Sequence, residues 1–355
     1  KNFLPGIKES VSSMLRAMKP YTTLKSYRMY SKAITEFANK SFSGQRYDNA
    51  RPKYPPELYL KIKRSYNEYV QDQADRGITE PKIPIFIDLG CGPGTVTYDL
   101  SEHVSSNALV FGLDPSMKMI EAANEKSHMN HKTVKFDTSD ENSFQNYFSS
   151  KYGNSKILNN TKVNLITAAQ CSHWFNFPNF LKNSYEVLKE GNTGGKLFIF
   201  GYIQPVIWNI PELDDIIQKL DNDLEQGFGK YWEQPGRDYL NNLLTDEYFT
   251  KALEESSFEN IKVERFYTSK NRDPFVDDGS HSYELKKTTT MRHFRDYVTS
   301  WSAYNKCKRE KGEKYADGII DQRFNEMFQK VSTLSYDSKI DLVWATYIIE
   351  ATCST

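Results

Sequence analysis

The sequence has no surplus of charge of either sign: its 355 residues carry 46 Lys and Arg against 46 Asp and Glu. That balance disfavours a surface built as a whole for nucleic acid, where a basic excess is needed to displace counterions. Cysteine is scarce as well. Cys91, Cys171, Cys307 and Cys353 are scattered and never form a C-x-x-C pair, so neither a disulfide framework nor a thiolate zinc site is suggested. No metal is expected, and a reducing compartment, the cytoplasm, is the simpler reading. Long apolar runs are missing too. The longest, 196–208, is interrupted by Gly201, Gln204 and Pro205 and falls far short of the ~20 residues that span a bilayer. There is no internal repeat, and a monomer is the expected state.

What is present is a globular composition, 38% hydrophobic and 14% aromatic. The balanced charge is unevenly placed. Lys1, Lys8, Arg16, Lys19, Lys25, Arg28, Lys32 and Lys40 against Glu9 and Glu36 give the first 40 residues a charge of +6, leaving −6 for the body. Ile7, Val11, Met14, Leu15 and Met18 share one helical face of this arm, residues 1–41. It reads either as a surface helix docked on the body or as a mitochondrial-type targeting segment.

From residue 83 the pattern alternates between strand and helix. Apolar runs at Ile83–Asp88, Ala108–Asp114, Val134–Phe136, Val163–Ala168 and Lys196–Tyr202 predict five strands, with helices over Thr95–His103 and Pro115–Lys126. Later segments predict helices over Pro211–Glu225, Asp238–Glu255, Met291–Tyr304 and Lys314–Val331. Strands are predicted over Ile261–Tyr267, Tyr283–Thr290 and Ile340–Ile349. This is an α/β pattern: a doubly wound, mostly parallel sheet covered by helices. Helical insertions at about 203–256 and 291–335 are expected to roof the crevice at the strand ends.

The sharpest local signal is Ile85-Phe-Ile-Asp-Leu-Gly-Cys-Gly-Pro-Gly94. Gly90, Gly92 and Gly94 let the chain turn sharply out of a strand and approach a ligand closely. Yet Thr95 stands where a dinucleotide fingerprint wants its third glycine, and Pro93 removes an N–H that a pyrophosphate would use. Asp88 adds a carboxylate that repels phosphate and welcomes ammonium or sulfonium. The loop suits a cationic nucleoside. Asp114, twenty residues beyond Gly94, is placed to accept from ribose hydroxyls, and Leu113 and Met117 to wall an adenine. Asp140 follows the third strand, where it faces two readings, acceptor for an adenine amino group or turn and helix cap.

Ile85–Gly94 with Gly112-Leu-Asp-Pro-Ser-Met117 resembles the first two motifs of class I S-adenosylmethionine-dependent methyltransferases. Arg46–Pro55, Ala169-Gln-Cys-Ser-His-Trp-Phe175, Tyr231-Trp-Glu-Gln-Pro-Gly-Arg237 and Thr299-Ser-Trp-Ser-Ala-Tyr304 resemble, more narrowly, the fungal trans-aconitate methyltransferase family. The resemblance runs from about Phe42 to Ile349, with Gln170 standing where that family is expected to have an acid. It implies a single methyltransferase domain over 42–350, a seven-stranded Rossmann-like sheet with a helical lid after the fifth strand, S-adenosylmethionine as cofactor and a small carboxylic acid as substrate. Cofactor contacts are expected from Asp88, Gly90, Cys91, Gly92, Asp114, Pro115, Met117, Asp140 and Arg51.

Methyl transfer from a sulfonium is an in-line displacement in which the protein supplies orientation and a desolvated approach. A carboxylate is already ionised at pH 7 and needs no base, only donors and positive charge to fix it. Trp174 offers an indole N–H donor, and His173 a donor or, for a hydroxyl acceptor, a base. Arg237 closes a segment expected to form a lid, as a clamp for a second carboxylate, while Arg51 grips either cofactor or substrate. Tyr47, Tyr54, Trp301 and Tyr304 are expected to enclose the site; each is equally an ordinary core aromatic. Two rival classes stand beside this reading: a nicotinamide-dependent oxidoreductase, disfavoured by Pro93 and Thr95, and a non-catalytic binding module, suggested by Gln170. A negative body is the wrong sign for an acid substrate. Positive charge or N–H donors must therefore be concentrated at the crevice, from Arg51, His173, Trp174 and Arg237.

Overall fold

The computed structural model describes residues 50–78, 83–126, 133–147, 150, 163–189, 194–268 and 283–354. The basic arm and Tyr47 lie outside these described residues. In chain order the main elements are α1 (Pro56–Asp75), β1 (Ile85–Leu89), α2 (Thr95–Asp99), β2 (Leu109–Asp114), α3 (Met117–Lys126), β3 (Val134–Thr138), β4 (Val163–Ala169) and α4 (Phe177–Lys189). They continue with β5 (Gly195–Ile207), α5 (Asp214–Asn222), α6 (Gly236–Asn241), α7 (Glu247–Glu254), β6 (Glu259–Phe266), β7 (Leu285–Thr290), α8 (Met291–Thr299), α9 (Ser302–Lys311), α10 (Glu313–Lys330) and β8 (Lys339–Cys353). No helix among the described residues is long and apolar enough to cross a membrane.

The sheet runs β3-β2-β1-β4-β5-β8-β6, with β1 to β5 parallel and β8 antiparallel to its neighbours. The expected α/β class holds, with eight strands among the described residues in place of seven. The extra one arises because β8 is fifteen residues long. Its outer edge is shared, β6 pairing with Thr346–Thr352 and β7 with Lys339–Trp344. β1 and β4 are buried almost throughout, as strands covered on both faces must be. α4 shows how the helices attach: Phe177, Phe180, Leu181, Ser184, Val187 and Leu188 fall on one face and are all buried.

Two expected helices are broken, each for a packing reason. Between α6 and α7, Leu243 and Leu244 take left-handed backbone angles, φ 50° and 57°, and both side chains become buried. Their carbonyls are satisfied by Arg265, whose Nε donates to Leu243 O at 2.9 Å and Nη2 to Leu244 O at 3.3 Å. Between α8 and α9 the chain turns at Ser300, and Trp301 extends to cap α9. This turn sends Trp301 into the core against Phe228 and Trp232 and offers the Ser300 carbonyl to Arg51. A further helix, α1, carries no glycine motif to announce it. Leu58, Tyr59, Ile62, Tyr66 and Tyr69 bury its inner face, and Tyr59 donates to Asp99 at 2.8 Å.

Candidate active site

The order of strands reverses between β1 and β4, and a crevice opens there at the carboxyl ends of the strands. A cavity of about 200 Å³ occupies it. Its floor is the loop from Gly90 to Pro93. Gly90 N–H and Cys91 N–H both donate to Leu113 O, at 2.7 and 3.1 Å, so the loop is tied back to β2. Gly90 and Gly92 have φ of 68° and 54°, in the left-handed region that glycine occupies without strain. A Cβ on Gly90 would stand 2.7 Å from the Cβ and Sγ of Cys171, whereas a Cβ on Gly92 would meet nothing within 4 Å. Gly92 therefore keeps the cavity open from below.

Asp114 ends β2 and grips the loop. Its Oδ2 accepts from Gly92 N–H at 2.9 Å and its Oδ1 from Ser116 N–H at 2.8 Å. Asp88 lies deeper, with Oδ2 accepting from the Thr97 hydroxyl at 2.7 Å and Oδ1 from the Thr167 hydroxyl at 2.8 Å. Burial pushes the Asp88 carboxyl up to about 7 against the pull of the two hydroxyls, with nearby Asp114 adding to the rise. Burial likewise lifts Asp114 to about 6, opposed by the Ser116 and Gly92 N–H donors. Glu141, on the same cavity, is raised by burial too. Three carboxylates held out of water around one cavity make it a place that favours a cation.

The expected contacts sort into those brought together and those sent elsewhere. Arg51, Asp88, Gly90, Cys91, Gly92, Asp114 and Pro115 line this cavity. Met117 does not: it is 57% exposed, and Met119 forms the wall instead. Asp140 also fails to reach it. Its Oδ1 accepts from Asn142 N–H, Ser143 N–H and the Ser143 hydroxyl, which makes it the cap of a turn, and its neighbour Glu141 faces the cavity.

A smaller cavity of about 60 Å³ adjoins the first and shares Arg51, Gln170, Trp174 and Tyr202 with it. His173, Gln204, Trp232, Arg237 and Tyr297 complete its walls. Burial, aided by Arg237, lowers His173 to about 3, so its imidazole is neutral. Arg237 is buried, with Nη2 2.5 Å from Asp221 Oδ2 and its guanidinium 4.0 Å from the centre of the Trp232 ring. Arg51 donates from Nη2 to Ser300 O at 3.3 Å and lies 5.5 Å over the Tyr297 ring. The start of α6 packs on Trp174 at Gly236, where a Cβ would come within 2.5 Å of the indole.

Gln170 marks the wall between the cavities. Its Nε2 donates to Tyr202 O and its Oε1 accepts from Tyr202 N–H, each at 2.7 Å. Only an amide can do both, so an acid here would press a carboxylate against a carbonyl. Trp301 and Tyr304 reach neither cavity. Trp301 is fully buried in the core, and Tyr304 donates to Asp317 at 2.9 Å. No cluster of His, Cys, Asp and Glu suited to a metal occurs among the described residues.

Residues 84–226, which hold the glycine loop, Asp114 and both shared cavity walls at Gln170 and Tyr202, match a family described as a methyltransferase domain. These residues are a methyltransferase domain, and S-adenosylmethionine is its cofactor. Along its length the chain is 22% identical over 313 residues to a Saccharomyces cerevisiae protein whose name calls it a probable S-adenosylmethionine-dependent methyltransferase. That match covers 88% of this chain and 96% of the relative. It is 27% identical over 317 residues to a Dictyostelium discoideum protein whose name calls it a putative methyltransferase, covering 89% and 95%. Among solved structures, phosphoethanolamine N-methyltransferase 2 of Haemonchus contortus overlays with a TM-score of 0.36 and 13% identity. The match covers 81% of this chain and spans about half, 53%, of that protein.

The methyltransferase cavity fits its cofactor on its own chemistry: an open cradle over Gly92, acceptors at Asp114 and a ring of acids for a ligand that carries sulfonium and ammonium charge. The pH dependence follows. Protonating Asp88 and Asp114 removes the negative charge, so affinity for S-adenosylmethionine is expected to fall about tenfold as pH drops from 8 to 5.5, through their values of about 7 and 6. S-adenosylhomocysteine, which lacks the sulfonium charge, should lose less. Calorimetric titration of both across that range checks it, and equal slopes would refute the charge argument. In the ligand-free protein the sign is opposite. The folded state holds more protons than the unfolded one between about pH 4 and 7, so stability falls as pH rises through that window.

Proposed function

We propose that this methyltransferase forms a methyl ester on a carboxylate of a small carboxylic acid, with trans-aconitate the acceptor that the family resemblance names. The observation that carries this reading is the second cavity: small, joined to the cofactor cavity, and lined by Arg51, Arg237 and Trp174 beside a neutral histidine.

When bound, S-adenosylmethionine supplies an electrophilic methyl group. The chain's own part is to hold the acceptor. A hydroxyl acceptor would need a base to take its proton, and His173, lowered to about 3, is too weak a base at neutral pH to do so. A carboxylate, ionised with an ordinary value near 4, needs none. Arg51 supplies charge and a fork of donors, and Trp174 an N–H on the wall common to both cavities. Gln170 fixes Tyr202 by two hydrogen bonds and so holds that wall in place. The body's negative charge is thereby answered locally by Arg51, because the charge of Arg237 is met by Asp221. Tyr202, Trp232, Leu240 and Tyr297 in the same walls favour an acid with an apolar body, which keeps other small acids and xenobiotic acids as a second reading of the acceptor.

Incubation with labelled S-adenosylmethionine and a panel of small acids tests the proposal, and failure to form any base-labile methyl ester would sink it. Trp174→Phe, which keeps an aromatic ring and deletes the N–H, is expected to lower kcat/KM for the acid about tenfold, the equivalent of one hydrogen bond to a charged group.

A further inference from the structure

A polyacid acceptor would require Arg237 to meet a second carboxylate. That guanidinium is already engaged. Its Nη2 contacts Asp221 Oδ2 at 2.5 Å, both side chains are buried, and the indole of Trp232 covers its face. Guanidinium is protonated at any working pH, and a carboxylate in direct contact with it in the interior is held ionised by that charge. Burial raises the Asp221 carboxyl, and Arg237 opposes the rise. The pair therefore presents no net charge to the cavity. His173 presents none either. Among the described residues lining this cavity, Arg51 is the one other cationic side chain.

The same cavity holds neutral hydrogen-bonding capacity. Nδ1 of His173 and Nε of Arg237 are buried without a hydrogen-bond partner, and both residues line the walls. A second ionised carboxylate placed here would lie beside Asp221 with its cation already taken, and would have to leave water to do so. A hydroxyl or amide in that place accepts from Arg237 Nε–H and pairs with His173 at no charge cost.

We infer that the second cavity selects an acceptor with one ionised carboxylate and, where a polyacid would carry its second charge, a neutral hydroxyl or amide. The inference rests on the carboxyl-methylation reading and narrows it, away from trans-aconitate and toward monoanionic acids. Asp221 is then a specificity residue that acts through Arg237.

The test compares acids that differ in this one respect. Succinate and its monoamide, succinamate, have nearly the same size and shape, and trans-aconitate is measured beside them with the full chain at pH 7.5. Succinamate is expected to exceed succinate and trans-aconitate at least tenfold in kcat/KM. Asp221→Asn, which frees Arg237, is expected to close or reverse that gap. Binding of the same acids to the protein loaded with S-adenosylhomocysteine, followed by calorimetry, gives the order independently of turnover. Tighter binding of succinamate with no ester formed would uphold the inference and overturn carboxyl methylation. Ester formation with succinate or trans-aconitate preferred, or no difference among the acids in either measurement, would overturn the inference alone. The wild-type comparison decides the matter whether or not the Asp221→Asn variant folds.

Discussion

Asp114→Ala is expected to weaken binding of S-adenosylhomocysteine by about 100-fold or more, while Asp140→Ala changes it by less than threefold. A loss of that size corresponds to about 2.7 kcal/mol. Asp114 holds Gly92 N–H with one oxygen and Ser116 N–H with the other, and each such charge-assisted bond is worth about 1.5–3 kcal/mol. Alanine frees both donors, loosens the loop that floors the cavity and removes the acceptors for ribose hydroxyls. Asp140 is the internal control. It stands at the end of the next strand with the same side chain, yet its bonds close a turn formed with Asn142 and Ser143. Calorimetric titration of both variants, with the thermal midpoint confirming that each is folded, measures the difference. Binding by Asp114→Ala within tenfold of the wild type would refute this account of the loop.

The second large effect separates two glycines of the same loop. Gly90→Ala puts a Cβ 2.7 Å from the Cβ and Sγ of Cys171 at φ 68°, so it combines left-handed strain, about 1–2 kcal/mol, with overpacking, about 1–3 kcal/mol. Unfolding by urea should show a total loss of about 2–5 kcal/mol. Gly92→Ala meets no neighbour and carries the strain alone, about 1–2 kcal/mol. Its cost appears in affinity, because the new methyl group stands in the cavity; a loss of at least tenfold for S-adenosylhomocysteine is expected. The two variants thus divide between stability and binding. Denaturant midpoints showing Gly92→Ala to be the less stable of the pair would contradict the geometry.

Both effects originate in a segment whose meaning is local. A strand ending in an acid, three alternate glycines, a helix and a second acid at the end of the next strand make one covalently continuous unit, and the left-handed φ of its glycines is a property of each residue by itself. The parallel alternation from residue 83 is local in the same sense, since apolar period and turn residues report which face of each element is buried. Those features therefore carried the α/β class, the crevice at the strand ends and the placement of Gly90, Gly92 and Asp114 in it. Gln170 was visible as a departure, although its reason was not: the partner that makes an amide necessary is the Tyr202 backbone on the neighbouring strand.

The walls of the two cavities depended on packing between segments. Periodicity places Met117 and Met119 in the same helix, and only the packing of α3 on the sheet turns Met119 inward. Trp301 and Tyr304 belong to an aromatic-rich segment that suits a lid or a core, and the turn at Ser300 committed them to the core. Arg51 finds the carbonyl of Ser300, 249 residues away. Arg237 meets Asp221 across a loop. Fold class and the glycine loop with its two acids are legible in the residues themselves, because period, backbone angle and spacing are encoded over a few residues. Which cations remain available to a substrate was decided only by tertiary structure, because a buried charge takes whichever opposite charge the packed chain brings within reach, and that pairing has no local signature.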